Sequence, residues 1–298
     1  MRITQQMLSQ RALDAMQTNI NRLANLQEQA VTTKSLQRPE DDPFAVQQAM
    51  GFRARIQEGE TILDNVALGR DWLDANDGAL TDLTTLLGRA EVLALKGASE
   101  QLGAGERAAL ATEMEGIIEQ AIGIGNTRHG DQFLFAGFKT NATPFQAVLT
   151  GGLITGATYV GDAGSILRQV EPGVDMAINV PGQPLFGGVF GALIGLRDAV
   201  RANPFDVGDV TTALGDVKDQ TDNVLDVQSS IGTKMNRLDL AAGRTEVRQL
   251  GLESLLSRSE DADMAEVVSD LAQQQFVYQT ALAVNAQVLR LSLMDYLR

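Results

Sequence analysis

The chain has 298 residues, a net charge of −14 and no cysteine. The missing cysteine excludes disulfides, thiolate chemistry and zinc–thiolate sites. The acidic balance, without any cluster of lysine and arginine, argues against nucleic acid and anionic membrane surfaces as partners. No apolar run is long enough to span a bilayer, and the low aromatic content of 5% suits helices better than an aromatic-lined enzyme pocket.

The residues after Met1 contain no continuous apolar core, so no cleaved signal peptide is expected. The acidity is interpreted as keeping a self-associating protein soluble before it assembles.

Both ends of the chain carry apolar residues at the three-and-four spacing of a helix seam. The N-terminal stripe is Leu13, Met16, Ile20, Leu23 and Ala30. The C-terminal stripe is Met264, Val268, Leu271, Tyr278, Leu282, Leu289 and Leu293. Most chain termini fray. Two terminal helices that carry apolar stripes must instead bury those stripes against each other, against neighbouring copies, or both. The predicted assembly interface is Leu13, Met16, Ile20, Leu23, Leu271, Tyr278, Leu282, Leu289 and Leu293.

The first helix is predicted to end before the polar break at 37–43, where Asp42 can cap a new helix and Pro43 suits its first position. That second helix extends to about Lys96. Its seam is Leu80, Leu83, Leu87, Ala90 and Ala94. Glycines at 97–105 interrupt it, and a third helix follows over 106–127.

From 131 to 195 glycines become frequent and helical periodicity is lost, which indicates a small β region. The strand-like pieces are 133–135, 158–160, 166–170 and 176–180. Helix returns over 189–201.

The longest seam in the chain follows the Asn203-Pro204 break. Its positions are Val210, Leu214, Val217, Thr221, Val224, Gln228, Ile231, Met235 and Leu238. An unbroken heptad pattern predicts left-handed coiled-coil pairing, with polar Thr221 and Gln228 setting the register. We predict a chain that folds back on itself, 44–127 against 189–260 and 1–34 against 264–298. The fold class is mainly α, an elongated rod of long antiparallel helices with a small β-rich insertion.

The sequence contains few candidate catalytic or metal-binding residues. His129 is the only histidine and has no nucleophile in a suitable sequence context, so a structural or solvent-exposed role is favoured. Asp41 and Asp42 could hold a hard cation, but helix capping explains them without one. No catalytic residue, cofactor or metal is therefore predicted.

Several motifs resemble the flagellin family, and more closely its members at the junction of hook and filament. The segment 38–43 is similar to the family's turn of serine, two aspartates and flanking prolines, with Glu40 in place of serine. The segment 126–137 resembles the family's segment of Asn-Thr, a glycine and Phe-Ala-Gly. The segments 159–162 and 178–186 resemble the β insertion of the junction members. The end, 278–297, resembles the family's terminal helix, and its Asp295-Tyr296 pair favours the junction proteins over filament flagellins.

The resemblance implies a layered, non-enzymatic structural subunit. Residues 1–42 and 261–298 would form an inner domain of paired terminal helices. Residues 43–145 and 187–260 would form a middle helical bundle, and 146–186 an outer β-rich domain. Expected partners are further copies in a ring, a hook-associated protein on the hook side, flagellin on the filament side and an export chaperone.

The expected location is the extracellular flagellum, reached through the flagellar type III pathway. Three alternatives stay open from the residues alone. A filament flagellin would polymerise from seeds. A cytosolic coiled-coil protein would be fully ordered when dilute. An enzyme would need a convergent polar pocket.

Overall fold

The computed structural model describes residues 5–36, 40, 42–99 and 102–296, apart from the side chains of 5–6, 8–9, 285 and 287–296. The described part is mainly α with a small β insertion, as predicted. Its helices are α1 Gln5–Thr32, α2 Pro43–Gly97, α3 Ala104–Gly125, α4 Gly182–Arg201, α5 Val207–Glu260 and α6 Met264–Tyr296. Its strands are β1 Arg128–His129, β2 Gln132–Phe133, β3 Phe145–Thr150, β4 Leu153–Tyr159, β5 Leu167–Glu171 and β6 Val174–Ala177.

Helix starts follow the capping chemistry of the sequence. The Asp42 carboxylate accepts hydrogen bonds from the backbone N–H groups of Phe44 and Ala45, both at 3.0 Å, so the predicted cap of α2 is confirmed. Asp263 caps α6 in the same way, at 2.9 Å from the N–H of Ala265. These short polar breaks therefore fix where the long helices begin.

The chain divides into two compact units. The first combines residues 1–58 with 248–298 and contains α1 and α6. The second comprises residues 59–247 and contains α3, α4 and all six strands.

The core of the second unit is built from the predicted seams. In α2 all five seam residues are buried, and so are the apolar α5 positions from Val210 to Leu238 apart from half-buried Met235. The two polar seam residues pair across to α2. Thr221 donates to the Glu91 carboxylate at 3.2 Å, and the Gln228 amide donates to Thr81 Oγ1 at 3.1 Å. Both contacts run between the two helices, as a register-setting role requires, and that role stays a prediction.

The strands form three separate antiparallel pairs, β1–β2, β3–β4 and β5–β6. The predicted pieces overlap β2, β4, β5 and β6. Strands β1 and β3 were not predicted, and the start of α4 was predicted seven residues late, at 189 instead of Gly182. Gly182 begins this helix in close contact, since a Cβ there would lie 2.5 Å from the carbonyl oxygen of Phe135.

A cluster of aromatic rings joins the β3–β4 hairpin to the helices. Phe145 of β3 lies 5.3 Å from Phe186 and 5.2 Å from Phe190 of α4, centroid to centroid. Phe135 contacts Phe186 edge-on at 4.8 Å. Since a two-stranded hairpin is only marginally stable alone, this packing holds it in place.

Side chains from other elements also hydrogen-bond to the backbone of the β3–β4 hairpin, at positions where a neighbouring strand would otherwise pair. The Asn126 amide donates to the carbonyl of Phe145 and accepts from its N–H, both at 2.9 Å. At the other strand, the Ile154 N–H donates to Glu115 at 2.6 Å, and the Ile154 carbonyl accepts from Arg197 at 2.5 Å. Arg197, which is 2% exposed, also pairs with Glu115 at 2.5 Å.

Candidate assembly interface on the terminal helices

The first and last helices, α1 and α6, pack against each other in opposite directions. Asn19 contacts Gln274, and Thr33 contacts Ala262, so positions advance along one helix as they recede along the other. Burial repeats every three or four residues on both helices. The half-buried positions described on α1 are Ala12, Met16, Asn19, Leu23, Leu26, Gln29 and Ala30. The buried or half-buried positions described on α6 are Met264, Val267, Asp270, Leu271, Gln274, Tyr278 and Ala281.

A polar pair lies within this apolar seam. The Gln274 side chain is 7% exposed, and its amide donates to Asn19 at 3.1 Å from the side-chain oxygen and 3.3 Å from the backbone oxygen. Neither residue was predicted to contribute. The signal was available in the 12-16-19-23-26-30 spacing, in which Asn19 is the one polar position.

The structure separates the nine predicted interface residues into groups. Met16, Leu23, Leu271 and Tyr278 are half-buried positions of the α1–α6 seam. Leu13, Ile20 and Leu282 are exposed, at 63%, 37% and 40%. The side chains of Leu289 and Leu293 lie outside the described residues. The predicted stripes therefore combine two faces, one that the pair itself covers and one that the described part of the chain leaves open.

The open face continues the same heptad spacing. On α1 it consists of Leu13, Ile20, Ala24 and Val31, the last 84% exposed. On α6 the exposed apolar residues include Val268, Phe276 and Val284. Sequence reasoning missed Phe276, 70% exposed, because it lies off the C-terminal stripe. Large apolar side chains exposed in a contiguous series mark protein–protein contact surfaces.

An apolar groove runs between the two helices on this unit. Its lining residues are Ala12, Ala15, Met16, Asn19, Phe276, Val277, Thr280, Ala281 and Val284. Small residues on both walls let the helices approach while leaving room for a further side chain. The shape suits an apolar helix face better than a polar substrate.

A second feature of the unit ties the ends of both helices together, and we call it the junction clasp, residues 33–35 with 260–262. Ser35 donates its N–H to the Glu260 carbonyl at 2.7 Å, and Ala262 donates to the Thr33 carbonyl at 3.0 Å. Thr33 adopts a φ of 58°, which is strained for a β-branched residue. The clasp thus holds the turn after α1 against the turn before α6.

The clasp also buries a carboxylate between two cations. Glu260 is 1% exposed and pairs with both Lys34 and Arg53. Both cations keep about half of their side-chain surface in solvent. An anion this deeply buried requires such partners. No periodic pattern in the sequence predicts this cluster, because its members come from three separate segments.

The described residues contain no group of three or more histidine, aspartate or glutamate side chains placed to hold a metal ion. Nor is any described helix long and apolar enough to cross a membrane. His129 is exposed on β1, and its ring meets that of Trp72 edge-on at 5.9 Å.

The two ends of the chain match known sequence families. Residues 3–140 match the bacterial flagellin N-terminal helical region, and residues 214–297 match the bacterial flagellin C-terminal helical region. The matches together span well over half of the chain, which therefore belongs to the flagellin family.

Two relatives place it more narrowly within that family. The chain is similar to flagellar hook-associated protein 3 of Salmonella typhimurium, 26% identical across 94% of this chain and 95% of that protein. It is also similar to flagellar hook-associated protein 3 of Escherichia coli, 25% identical across 98% of both chains.

Solved structures share the fold. A flagellar hook-associated protein from Vibrio parahaemolyticus superimposes with a TM-score of 0.66 at 22% identity, over 74% of this chain and all of that one. The flagellar junction protein of Legionella pneumophila gives 0.57 at 14% identity, over 73% of this chain and all of that one.

Proposed function

We propose that this protein is a structural subunit of the bacterial flagellum that joins the hook to the filament. The observation that carries the proposal is the open apolar face of the α1–α6 pair. Leu13, Ile20 and Leu282 remain exposed after the two helices have packed. The similarity to two hook-associated proteins 3 over nearly their whole length supports the junction over the filament as the place of assembly.

The mechanism is burial of this face between copies. Each large apolar side chain that is fully covered contributes about 1.5–3 kcal/mol. Ordering each backbone residue costs about 1–2 kcal/mol. Assembly therefore requires several neighbours around each subunit, as in a ring of copies. Of the nine predicted interface residues, four would pack within the subunit and the three exposed ones, Leu13, Ile20 and Leu282, between subunits. Leu289 and Leu293 remain part of the proposed interface, and their side chains lie outside the described residues.

The wider arrangement follows the layered division of the sequence. The inner layer would be 1–42 with 261–298, the middle layer 43–145 with 187–260, and the outer layer 146–186. A hook-associated protein would bind on the hook side and flagellin on the filament side. The chain would be delivered by an export chaperone through the flagellar type III pathway, and it would carry no catalytic activity.

Complementation of a strain that lacks the gene tests the proposal. The deletion strain is expected to make hooks and to shed flagellin into the medium, and the intact gene is expected to restore filaments. A chain with Leu13, Ile20 and Leu282 all changed to serine should fold but fail to restore them. The matched control changes the same positions to methionine, valine and methionine, which keeps the apolar face.

Two outcomes would contradict the proposal. Normal filaments in the deletion strain would mean that the protein is not needed to join the filament to the hook. Long filaments that grow from the purified protein on added seeds would favour the alternative, a filament flagellin.

A further inference from the structure

The outer face of α5 carries an apolar side chain between two cations. The three residues are Arg237, Leu240 and Arg244, at a spacing of three and then four residues. Residues at this spacing lie on one side of a helix. All three are exposed, and Leu240 keeps 62% of its surface in solvent. Arg244 also pairs with Glu171 at 3.2 Å. We call these three residues the basic triad.

Helix α2 carries the opposite charges around a leucine of its own. Asp64, Leu68 and Asp71 follow one another at a spacing of four and then three residues, the reverse of the order on α5. All three are exposed, and Leu68 keeps 57% of its surface in solvent. We call these residues the acidic triad. An apolar residue between two anions is thus the counterpart of the basic triad.

The two triads lie on opposite sides of the α2–α5 pair. Leu240 follows the buried seam residue Leu238 by two positions. Leu68 follows Val66 by two positions, and Val66 is buried two heptads before Leu80 of the α2 seam. Two residues turn an α-helix by about 200°, so each leucine faces away from its own seam. Since the seams of α2 and α5 face each other, the triads point in opposite directions.

The two triads also lie at the same level along the helix pair. Arg70 of α2 pairs with Asp239 of α5, which fixes the antiparallel register at this point. In that register Asp64, Leu68 and Asp71 lie level with positions 245, 241 and 238, each one residue from a member of the basic triad. One residue is a rise of about 1.5 Å, so the two triads differ in level by less than the width of a side chain.

We propose that the basic triad of each copy binds the acidic triad of the next copy, an inference that rests on the ring of copies proposed above. Two copies that stand side by side in the same orientation bring the triads together without any reversal. The contacts are Arg237 with Asp71, Leu240 with Leu68, and Arg244 with Asp64. Each copy uses one triad on each side, so the contact repeats from copy to copy and closes into a ring when the rotation between neighbours allows it.

Charge and spacing together select a second copy as the partner. With a net charge of −14, two copies repel each other over most of their surfaces. The basic triad requires two anions seven residues apart around an apolar side chain, on a helix that runs antiparallel to α5. The acidic triad has this pattern, and α2 of a like-oriented neighbour supplies it at the right level and in the right direction.

The contact orients neighbouring copies more than it drives their association. Exposed ion pairs contribute little free energy on their own, whereas complementary charges disfavour every arrangement that brings like charges together. A neighbour that is reversed or shifted along the ring axis loses both ion pairs. The triads therefore fix the relative level of adjacent copies.

The absence of cysteine allows disulfide crosslinking of the full chain to test the contact. Packed helices have axes about 8–10 Å apart, which brings facing Cα atoms within disulfide range. A chain with both Leu68→Cys and Leu240→Cys is expressed in the deletion strain, and the assembled flagella are oxidised. It should give covalent dimers, trimers and longer products on a non-reducing gel.

The single-cysteine chains are the matched controls. Leu68→Cys or Leu240→Cys alone should give no covalent product, because the proposed contact never places a residue beside the same residue of the neighbour. The two single variants expressed together should give dimers and nothing longer, since each chain then has one cysteine.

Charge reversal tests the ion pairs in the chain that carries both cysteines. Arg237 forms no ion pair within the described residues, so Arg237→Glu removes none inside the copy. It should lower the crosslinked fraction about fivefold or more, because an attraction to Asp71 becomes a repulsion. Adding Asp71→Arg should restore the fraction. The control is Lys218→Glu, which reverses an exposed charge on the same helix and should leave the fraction unchanged.

Three results would overturn the proposal. The first is a chain with both cysteines that restores filaments but forms no covalent products, which would leave the junction role intact and remove only this contact. The second is a single-cysteine chain that dimerises as readily as the paired variant, which would indicate a two-fold arrangement. The third is an equal effect of Arg237→Glu and Lys218→Glu.

The charge variants made without cysteines decide the matter if the chain with both cysteines does not restore filaments. Arg237→Glu should then reduce swimming of the complemented strain, and adding Asp71→Arg should recover it. Equal swimming of the Arg237→Glu, Lys218→Glu and unchanged chains would overturn the proposal.

Discussion

Gln274 of α6 donates its amide to both oxygens of Asn19 on α1, at 3.1 Å and 3.3 Å, inside an otherwise apolar seam. A polar pair in a helix seam makes the helix pair less stable than apolar residues would. It also disfavours every shifted register, because in those registers each polar residue would be buried without its partner. This contact, between residues near opposite ends of the chain, therefore contributes to the register of the α1–α6 pair.

Changing Gln274 to alanine should destabilise the α1–α6 pair by about 1–2 kcal/mol, because two hydrogen bonds and a buried side chain are lost. Hydrogen exchange of the α1 and α6 amides measures the effect locally. The chain offers a matched control, since the adjacent Gln275 is exposed on the same helix. Gln275→Ala should leave exchange unchanged, and equal effects of the two changes would contradict the assigned role.

The junction clasp should depend on the charge of Glu260. Glu260→Gln keeps the shape of the side chain but removes the anion between Lys34 and Arg53. We expect a loss of about 1–3 kcal/mol, below the cost of breaking a fully buried pair, because both cations keep contact with water.

Thermal unfolding and hydrogen exchange of residues 260–270 would measure this loss. Glu253→Gln, exposed on the same helix, is the control. Equal melting temperatures for Glu260→Gln and Glu253→Gln would mean that the buried carboxylate does not stabilise the clasp.

The sequence predicted the long helices and their seams because each depends on a local, repeated pattern. The Asp42 cap needs only the three residues that follow it, and the α5 seam continues without interruption from Val210 to Leu238. Such features are fixed by spacing before any tertiary contact forms.

The face that α1 presents to α6 was harder to predict. Met16 and Leu23 belong to two overlapping heptad patterns, one with Leu13 and Ile20 and the other with Ala12 and Asn19. The first pattern has the more apolar side chains and is therefore the one that the sequence favours as the contact face. In the structure, however, α6 covers the second pattern. On the covered face Asn19 contacts Gln274, a residue 255 positions away, and no local pattern contains that information.

Strand β3 was missed for a similar reason. Its residues Gln146–Thr150 are exposed and show no apolar alternation. Hydrogen bonds from Asn126 to Phe145 hold the strand, and Glu115 and Arg197 hold its partner β4. A strand whose hydrogen-bond partners are side chains from other elements leaves little periodic signal in its own sequence.

Arg197 should be essential for the stability of the unit formed by 59–247. Its burial lowers its pKa, but hydrogen bonds to Glu115 and Asp198 outweigh this, and the pKa is raised overall. Arg197→Met leaves the Glu115 carboxylate and the Ile154 carbonyl without their partner, at a cost of about 3–5 kcal/mol.

Denaturant unfolding followed by circular dichroism measures this cost. Arg201→Met, exposed on the same helix, should have little effect. A double change of Arg197 and Glu115 to methionine should recover part of the loss, because no buried charge remains. A double variant less stable than Arg197→Met would contradict this account.

The turn around Asp162 should make the β region sensitive to acid. Its carboxylate accepts N–H groups from Phe138 at 2.7 Å and Gly164 at 2.8 Å. These bonds, with a smaller effect of the Lys139 charge, lower the pKa of Asp162 below its ordinary value of 3.8. The carboxylate is thus favoured in the folded chain. Its stabilisation is present above the unfolded pKa and is lost as the pH falls through the lower, folded pKa.

Asp162→Asn keeps an oxygen that can accept both N–H groups but removes the charge. The melting temperature of the variant should be below that of the native chain at pH 7, and the gap should close as the pH falls below 3.8. Asp175→Asn, exposed on β6, is the control for a change of net charge. A gap that stays constant from pH 7 to pH 2 would mean that the ionised form of Asp162 is not what stabilises the turn.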